Sequence, residues 1–514
     1  MLKQNSILAL ASGLALAGCD LAPKFMRPGL SVPPAAPAGP AYAPPAAPGT
    51  TIVPPQTGWQ DFFTDPKLRG IIALALANNQ DLRVALANVE QARAQYRIQR
   101  ADLFPTLGAS ATATYQKSPG GALATGGTGG VGTGGVGTGG TGTGGTGTGG
   151  GTAVTGSTRT DVYSVGLGVS AWEVDLFGRL RNLTRSAQEQ YFATAENRNA
   201  AQISLVAEVA NAYATMAADQ DRLRIARDTE RAFGQTLELT RARFRVGITS
   251  ELEVRQAQTS YDQARSDIAE ATTLVAQDQN ALNLLAGTTV PAEYLPAALG
   301  EAGVTLPNLP SDIPSEILLQ RPDIVAAEHQ LRAAYADIGA ARAAFFPNIS
   351  LTAALGTLSL GLSNLFGSGS GFWQVEPSVT LPIFDAGRNR NNLRYAEATR
   401  EAMLAQYQRA VQTGFREVAD ALARRGTIDD QLEAQNSLRN AAQVAYRLSE
   451  ARFRSGIDPF LTTLDSQRQL YSAEQSLLAT RLVRESNAVE LYRAFGGGLI
   501  GPRDTREPEV PVRP

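Results

Sequence analysis

The sequence predicts a mixed α and β membrane protein in which one very long helical hairpin occurs twice, with two strands inserted in each copy. Three observations carry this. The stretch Ala242-Arg-Phe-Arg-Val-Gly-Ile248 returns as Ala451-Arg-Phe-Arg-Ser-Gly-Ile457, and an offset of 209 holds without a gap from Gly178 on Gly387 to Gly287 on Gly496. Apolar residues recur at three- and four-residue steps for about 67 residues on the N-terminal side of each of these stretches, a helix of about 100 Å. Four segments of about ten residues alternate strictly between apolar and polar, the pattern of membrane barrel strands. A tandem duplication is read before any domain count, so the 514 residues make one repeated unit rather than several domains.

The chain opens with Lys3, an apolar run from Ile7 to Ala17 and small residues up to Cys19. The run is too short to span a bilayer and reads as a signal peptide over residues 1–18. Leu16-Ala17-Gly18-Cys19 resembles the lipobox of bacterial lipoproteins. The resemblance implies cleavage before Cys19 and a covalent lipid (diacylglycerol and N-acyl) on its sulfur and amine. Cys19 is the only cysteine, so no intramolecular disulfide competes for it. Asp20 follows it, and in enteric bacteria an aspartate there favours the inner membrane; the barrel strands argue for the outer membrane instead.

Residues 19–58 are rich in proline and read as a lipid-anchored, extended leash. The first repeat, 59–300, begins with helical patterns over 66–78 and 81–103, Asp81 serving as N-cap and Pro105 as terminator. Strands follow at about 106–115 and 162–172. Between them lies a Gly/Thr-rich loop, 116–161, whose low-complexity core has too little apolar surface to fold. The long helix then runs over 178–244, and Ser250 to Ala286 forms its shorter partner. The second repeat, 301–497, copies this with helices over 323–346, 386–453 and 459–495, and strands at about 348–356 and 372–383. A tail, 498–514, ends the chain. One long helix can thus lie beside two shorter ones stacked end to end.

Four strands cannot close a barrel, and open edges are not tolerated in hydrocarbon. Two copies would make eight strands, a barrel nearly filled by its own side chains; three make twelve and leave a lumen. The glycine, serine and threonine on the polar face favour the open lumen, and hence a homotrimer embedded in outer-membrane lipid. The long helices leave from the barrel end opposite the strand-to-strand loops, which points them into the periplasm.

Several motifs now coincide: Cys19-Asp-Leu-Ala-Pro23-Lys-Phe25-Met-Arg-Pro28, Trp172-Glu-Val-Asp-Leu-Phe-Gly178, Leu381-Pro-Ile-Phe-Asp-Ala-Gly387 and the two Phe-Arg-x-Gly turns. Together with the lipobox and the duplication they resemble the TolC-like outer-membrane efflux channels, in their lipoprotein branch serving RND-type tripartite pumps. The resemblance covers about residues 16–500, with the Gly/Thr-rich tract as its main departure. It implies a trimeric α-barrel continuous with a 12-stranded transmembrane β-barrel. It also implies docking to a periplasmic adaptor (membrane fusion) protein and an inner-membrane RND-type transporter, with passive export of small molecules through a pore gated at its periplasmic tip.

By the same resemblance, Asp465 matches the acidic ring residue of the gate, and Leu461 and Arg468 match constriction and link residues. Arg454 lies at the turn itself, and Glu253 stands where some members place an aspartate that bonds the neighbouring helix. Thr462 replaces a second acidic residue, so the ring carries one charge per protomer. Leu461, Asp465 and Arg468, spaced four and three apart, share one helix face. Three-fold symmetry would gather three Asp465 carboxylates, a site that attracts cations; a solvated Asp465–Arg468 pair is the plainer alternative. Gly247 and Gly456 stand where the chain must reverse.

Other functions fit poorly. A net charge of -2 gives no footprint for nucleic acid. The single histidine, His329, has no cysteine or metal-ligand spacing around it, so neither a metal site nor thiol catalysis is expected, and no cofactor is implied. Carboxylates stand beside arginine or lysine on helix faces, the solvated pattern. A structural or adhesive coiled-coil surface lipoprotein without transport would explain the helices and strands but not the duplicated turns.

Overall fold

The computed structural model describes residues 20–35, 37–42, 58–118, 158–299 and 315–498. Residues 1–18, Cys19, the Gly/Thr-rich core of the long loop and the tail from 499 onward lie outside them. In chain order the elements are α1 (Trp59–Phe62), α2 (Pro66–Asn78), α3 (Gln80–Ala101), β1 (Leu107–Ser118), β2 (Thr158–Glu173), α4 (Arg179–Arg245), α5 (Glu251–Ala286), α6 (Pro322–Ala343), β3 (Asn348–Ser359), β4 (Gly371–Thr380), α7 (Arg388–Arg454) and α8 (Phe460–Ala494). α4 and α7 are each 67 residues long, as the offset of 209 requires.

The compact units cut across the two sequence repeats. One gathers the strands of both, residues Arg100–Arg181 with Arg342–Asn389; the other gathers the helices. The repeat is therefore a unit of sequence and not of packing, because each copy contributes half of a sheet and half of a helical assembly.

In the helical unit, short helices abut end to end. The Asn79 amide, just before α3, donates to Leu285 O in the last turn of α5 at 2.9 Å. In the second repeat Arg321, just before α6, donates to Ala494 O in the last turn of α8 at 2.8 Å. Each contact caps a carbonyl that a helix end leaves unpaired. Gly287 permits the first junction: it sits at φ +66, and a Cβ there would lie 2.4 Å from Asn78 O. The largest core cluster joins both repeats. Phe62, Phe63, Ile71 and Ile72 pack with Val209 and Tyr213 of α4 and with Val489 and Tyr492 of α8, and the Phe62 and Tyr492 rings lie 4.6 Å apart.

The described part of the proline-rich segment has no helix or strand, but it is a packed strap rather than a free leash. Phe25, Leu30, Val32 and Tyr42 pack on a core cluster that includes Ile324, Leu331 and Tyr407. Arg27 pairs with Glu328 at 2.7 Å, and Glu328, with a side chain only 4% exposed, also holds Arg332 at 2.5 Å. Composition alone does not reveal this, since the segment's few apolar residues find a groove that exists only once α6 and α7 have packed.

The other unit is a four-stranded antiparallel sheet in the order β1-β2-β3-β4. The strands extend three residues past the expected ends of β1 and β3, and β2 begins four residues early, at Thr158, so the connecting loop is shorter than 116–161. β4 stops at Thr380 rather than 383, because Thr380 already faces Asn348, the first residue of β3, and no residue of that strand is left to pair with. The register aligns Ala109, Leu167, Leu355 and Trp373 across all four strands on one face, and Gly108, Gly168, Ala354 and Gln374 across the other. The alternation of β2 breaks at a bulge: Val169 opposes Ala353, but Trp172, not Ala171, opposes Leu351. Ala171 takes φ 48, and the extra residue returns the large ring to the apolar side.

Candidate functional site: the hairpin turns and the face below them

Both long helices end in the same way. Gly247 N donates to Phe244 O and Ile248 N to Arg243 O, each at 2.9 Å; Gly456 N donates to Phe453 O at 3.0 Å and Ile457 N to Arg452 O at 2.9 Å. This pair of bonds is the Schellman closure of a helix, and it requires a left-handed residue at the glycine. Gly247 and Gly456 supply it at φ +77 and +75. The return helices then start on Ser250, whose hydroxyl caps Glu253 N, and on Pro459. Val246, Ile248, Leu252 and Ile457 are all more than half exposed, so the two turns present apolar tips.

Beneath the tips the four helix ends share one small core. Phe233 and Leu237 of α4, Ala257 and Ala264 of α5, Phe453 of α7 and Phe460 and Leu464 of α8 pack together. This core fixes which way α8 faces. Thr463, Leu464 and Gln467 turn inward, while Leu461, Asp465 and Arg468 lie on the exposed side. The common face expected for these three residues is present.

Their bonding does not follow from the spacing. Arg468 directs Nε and Nη2 to Ser260 Oγ of α5, at 3.1 and 2.8 Å. It does not pair with Asp465, which is left exposed and without an ion pair among the described residues. One turn further from the tip, Tyr471 donates to Asp267 Oδ2 at 2.7 Å, and burial together with this carboxylate pushes the Tyr471 phenol up. Two polar bonds therefore tie α8 to α5, the second hairpin to the first.

The remaining expected gate residues act locally. Arg454 pairs with Glu450 on its own helix at 2.6 Å. Glu253, expected by resemblance to bond a neighbouring helix, accepts instead from the Thr249 hydroxyl in its own turn. Thr462 is exposed, so the acidic character of this face rests on Asp465 alone. Arg452 clasps Asp458 across the second turn at 2.6 and 2.8 Å, and its guanidinium holds the Asp458 carboxyl below the usual carboxylate range.

Sequence reasoning misses Ser260, Tyr471, Asp267 and the Arg452–Asp458 clasp. The first three meet only across helices about two hundred residues apart in the chain, which no local pattern encodes. The clasp does leave a signal, because the offset of 209 sets Asp458 against Thr249 where the two turns are otherwise alike.

Elsewhere, His329 sits against Glu189 of α4 at 2.6 Å, a packing contact between helices. Among the described residues no group of three His, Cys, Asp or Glu is placed to hold a metal ion, and no helix is long and apolar enough to cross a membrane.

Comparison with known proteins agrees along nearly the whole chain. The profile of the family described as "Outer membrane efflux protein" matches residues 71–288 and 313–497. The toluene efflux pump outer membrane protein TtgC of Pseudomonas putida is 43% identical over 495 residues, covering 96% of each chain. The antibiotic efflux pump outer membrane protein ArpC, from the same species, matches to the same extent. Among solved structures, the open state of the Neisseria gonorrhoeae MtrE outer membrane channel superposes with a TM-score of 0.79 at 35% identity, covering 94% of this chain and 99% of that one.

Proposed function

We propose a gated export channel from one premise: this chain belongs to the outer membrane efflux protein family and is the outer-membrane, non-enzymatic component of an efflux pump. The working unit is a homotrimer. The observation that carries this is the four-stranded sheet whose apolar residues align on one face from β1 to β4, while the outer edges of β1 and β4 have no strand partner among the described residues. In hydrocarbon such edges must be closed by further copies. Three copies supply twelve strands and a lumen, with the Gly, Ser and Thr face inward.

The hairpin tips form the periplasmic gate. Leu461 narrows the passage, the three Asp465 carboxylates of the trimer make a cation-attracting ring, and the Arg468–Ser260 bond holds each second hairpin in its resting position. The exposed apolar tips at Val246, Ile248 and Ile457 meet a periplasmic adaptor protein, and an inner-membrane RND-type transporter delivers the cargo. The cargo is small organic molecules, solvents and antibiotics among them, as in the pumps of TtgC and ArpC. Cys19 carries diacylglycerol and an N-acyl chain, which anchor the N-terminus to the outer membrane.

The test is the oligomeric mass of detergent-extracted protein, followed by planar-bilayer conductance of the same sample. A trimer with small, cation-preferring conductance is expected. A stable monomer without conductance overturns the channel reading, and a trimer that conducts without ion preference overturns the acidic ring alone.

A further inference from the structure

We propose that Arg243 is a gate-positioning residue that latches the end of the second long helix to the first hairpin within each protomer. The proposal rests on the reading of the tips as the gate, and it begins from an asymmetry between the two turns. In the second turn Arg452 is clasped by Asp458 of the same turn, at 2.6 and 2.8 Å. The offset of 209 puts Arg243 in the place of Arg452 and Thr249 in the place of Asp458. A threonine has no charge to hold a guanidinium, and the Thr249 hydroxyl is already engaged by Glu253.

Arg243 therefore leaves its own turn. Its guanidinium carbon lies 4.7 Å from the centre of the Phe453 ring on α7, and Nη1 approaches Phe453 O at 3.5 Å. Two attractions act at one place. The ring presents its negative face to the cation, and a carbonyl of the last turn of α7 presents the negative end of the helix. Phe453 is 4% exposed and packs 5.6 Å from Phe460, in the core that also holds Leu464, next to Asp465. A cation on α4 thus grips the α7–α8 hairpin at the base of the proposed gate face. Any outward movement of that hairpin peels Phe453 from Arg243, so the contact biases the tip toward its resting position.

The experiment compares open probability and ion preference of reconstituted wild-type channel with Arg243→Gln, Phe453→Leu, the double variant, Thr249→Asp and Asp465→Asn. Arg243→Gln and Phe453→Leu are each expected to raise open probability roughly fivefold, the change that one cation–π contact of ordinary strength supports. The double variant should add nothing further, because both remove the same contact. Thr249→Asp should open the channel to a similar degree by recapturing Arg243 inside its own turn, as Asp458 captures Arg452. That result would separate a latch from general destabilisation, since the variant reproduces an arrangement the chain already tolerates.

Wild-type open probability in Arg243→Gln and Thr249→Asp, with altered ion preference in Asp465→Asn, would overturn the latch and leave the gate reading standing. Wild-type behaviour in all the variants, Asp465→Asn included, would remove both.

Discussion

Arg468 reaches Ser260 on the neighbouring hairpin with two nitrogens, at 3.1 and 2.8 Å, and passes by Asp465, three residues away on its own helix. The relationship sets the chemistry of the whole tip. It neutralises nothing on the exposed face, so Asp465 is left without an ion pair among the described residues, and it makes one of the two polar bonds between α8 and α5 depend on a single hydroxyl.

That hydroxyl is the most direct place to test the link. Ser260→Ala keeps the arginine and its charge but removes the acceptor. A hydrogen bond to a charged group contributes about 1.5–3 kcal/mol, so the open population should rise about tenfold or more. Single-channel recording reads it directly, and an unchanged closed fraction would mean that other contacts hold the tip.

Asp465→Asn removes one charge per protomer with little change in volume. Cation preference measured from reversal potentials should fall toward neutrality, while trimer mass and thermal stability stay at wild-type values. Retained cation preference would place the selective charge elsewhere in the lumen.

Gly247 and Gly456 hold left-handed backbone, and a Cβ at either position would meet nothing within 4 Å. Substitution by alanine is therefore strained in the backbone and not by crowding. Gly456→Ala should cost about 1–2 kcal/mol, seen as a lower Tm of the detergent-extracted protein. A neutral effect would show that the turn can relax into another closure.

A carboxyl pair between α4 and α5 gives a pH dependence with a definite sign. Burial, the nearby Asp219 carboxylate and a hydrogen bond to it push Asp278 up to about 6, with the Arg222 cation pulling the other way. The folded chain thus holds this proton over a range where the unfolded chain, near 3.8, has lost it. Stability falls as pH rises from about 4 to about 6 and is level above that. Because Asp278 is only half-buried, solvent screening limits the effect to about 1 kcal/mol. The second repeat carries Asn487 at the equivalent position. Asp278→Asn should flatten the Tm-against-pH curve in this window, and an unaltered slope would assign it to other groups.

The strap offers a fifth test. Glu328 is buried between Arg27 and Arg332, so Arg27→Ala leaves a buried carboxylate with one partner instead of two. A loss of about 1–2 kcal/mol is expected, together with faster proteolysis near residues 20–42. Wild-type protease resistance would show that Phe25, Leu30 and Val32 hold the strap without the ion pair.

Some of this architecture can be read from residues alone because its causes are local or periodic. The offset of 209 places both long helices to within two residues, since apolar spacing at 3.6 and a glycine after Phe-Arg-x are properties of the chain itself. Period-2 alternation places all four strands, although not the bulge that sends Trp172 rather than Ala171 to the apolar face; the bulge arises from pairing with β3, whose residues lie far off in sequence. The face shared by Leu461, Asp465 and Arg468 follows from their spacing of four and three. Their partners do not. Whether Arg468 finds Asp465 or Ser260, whether Arg243 stays in its turn or crosses to Phe453, and whether the proline-rich segment hangs free or packs are decided by elements that meet across long stretches of chain. Periodicity fixes which way a side chain points along its own element, and only packing brings to it the group it will bond.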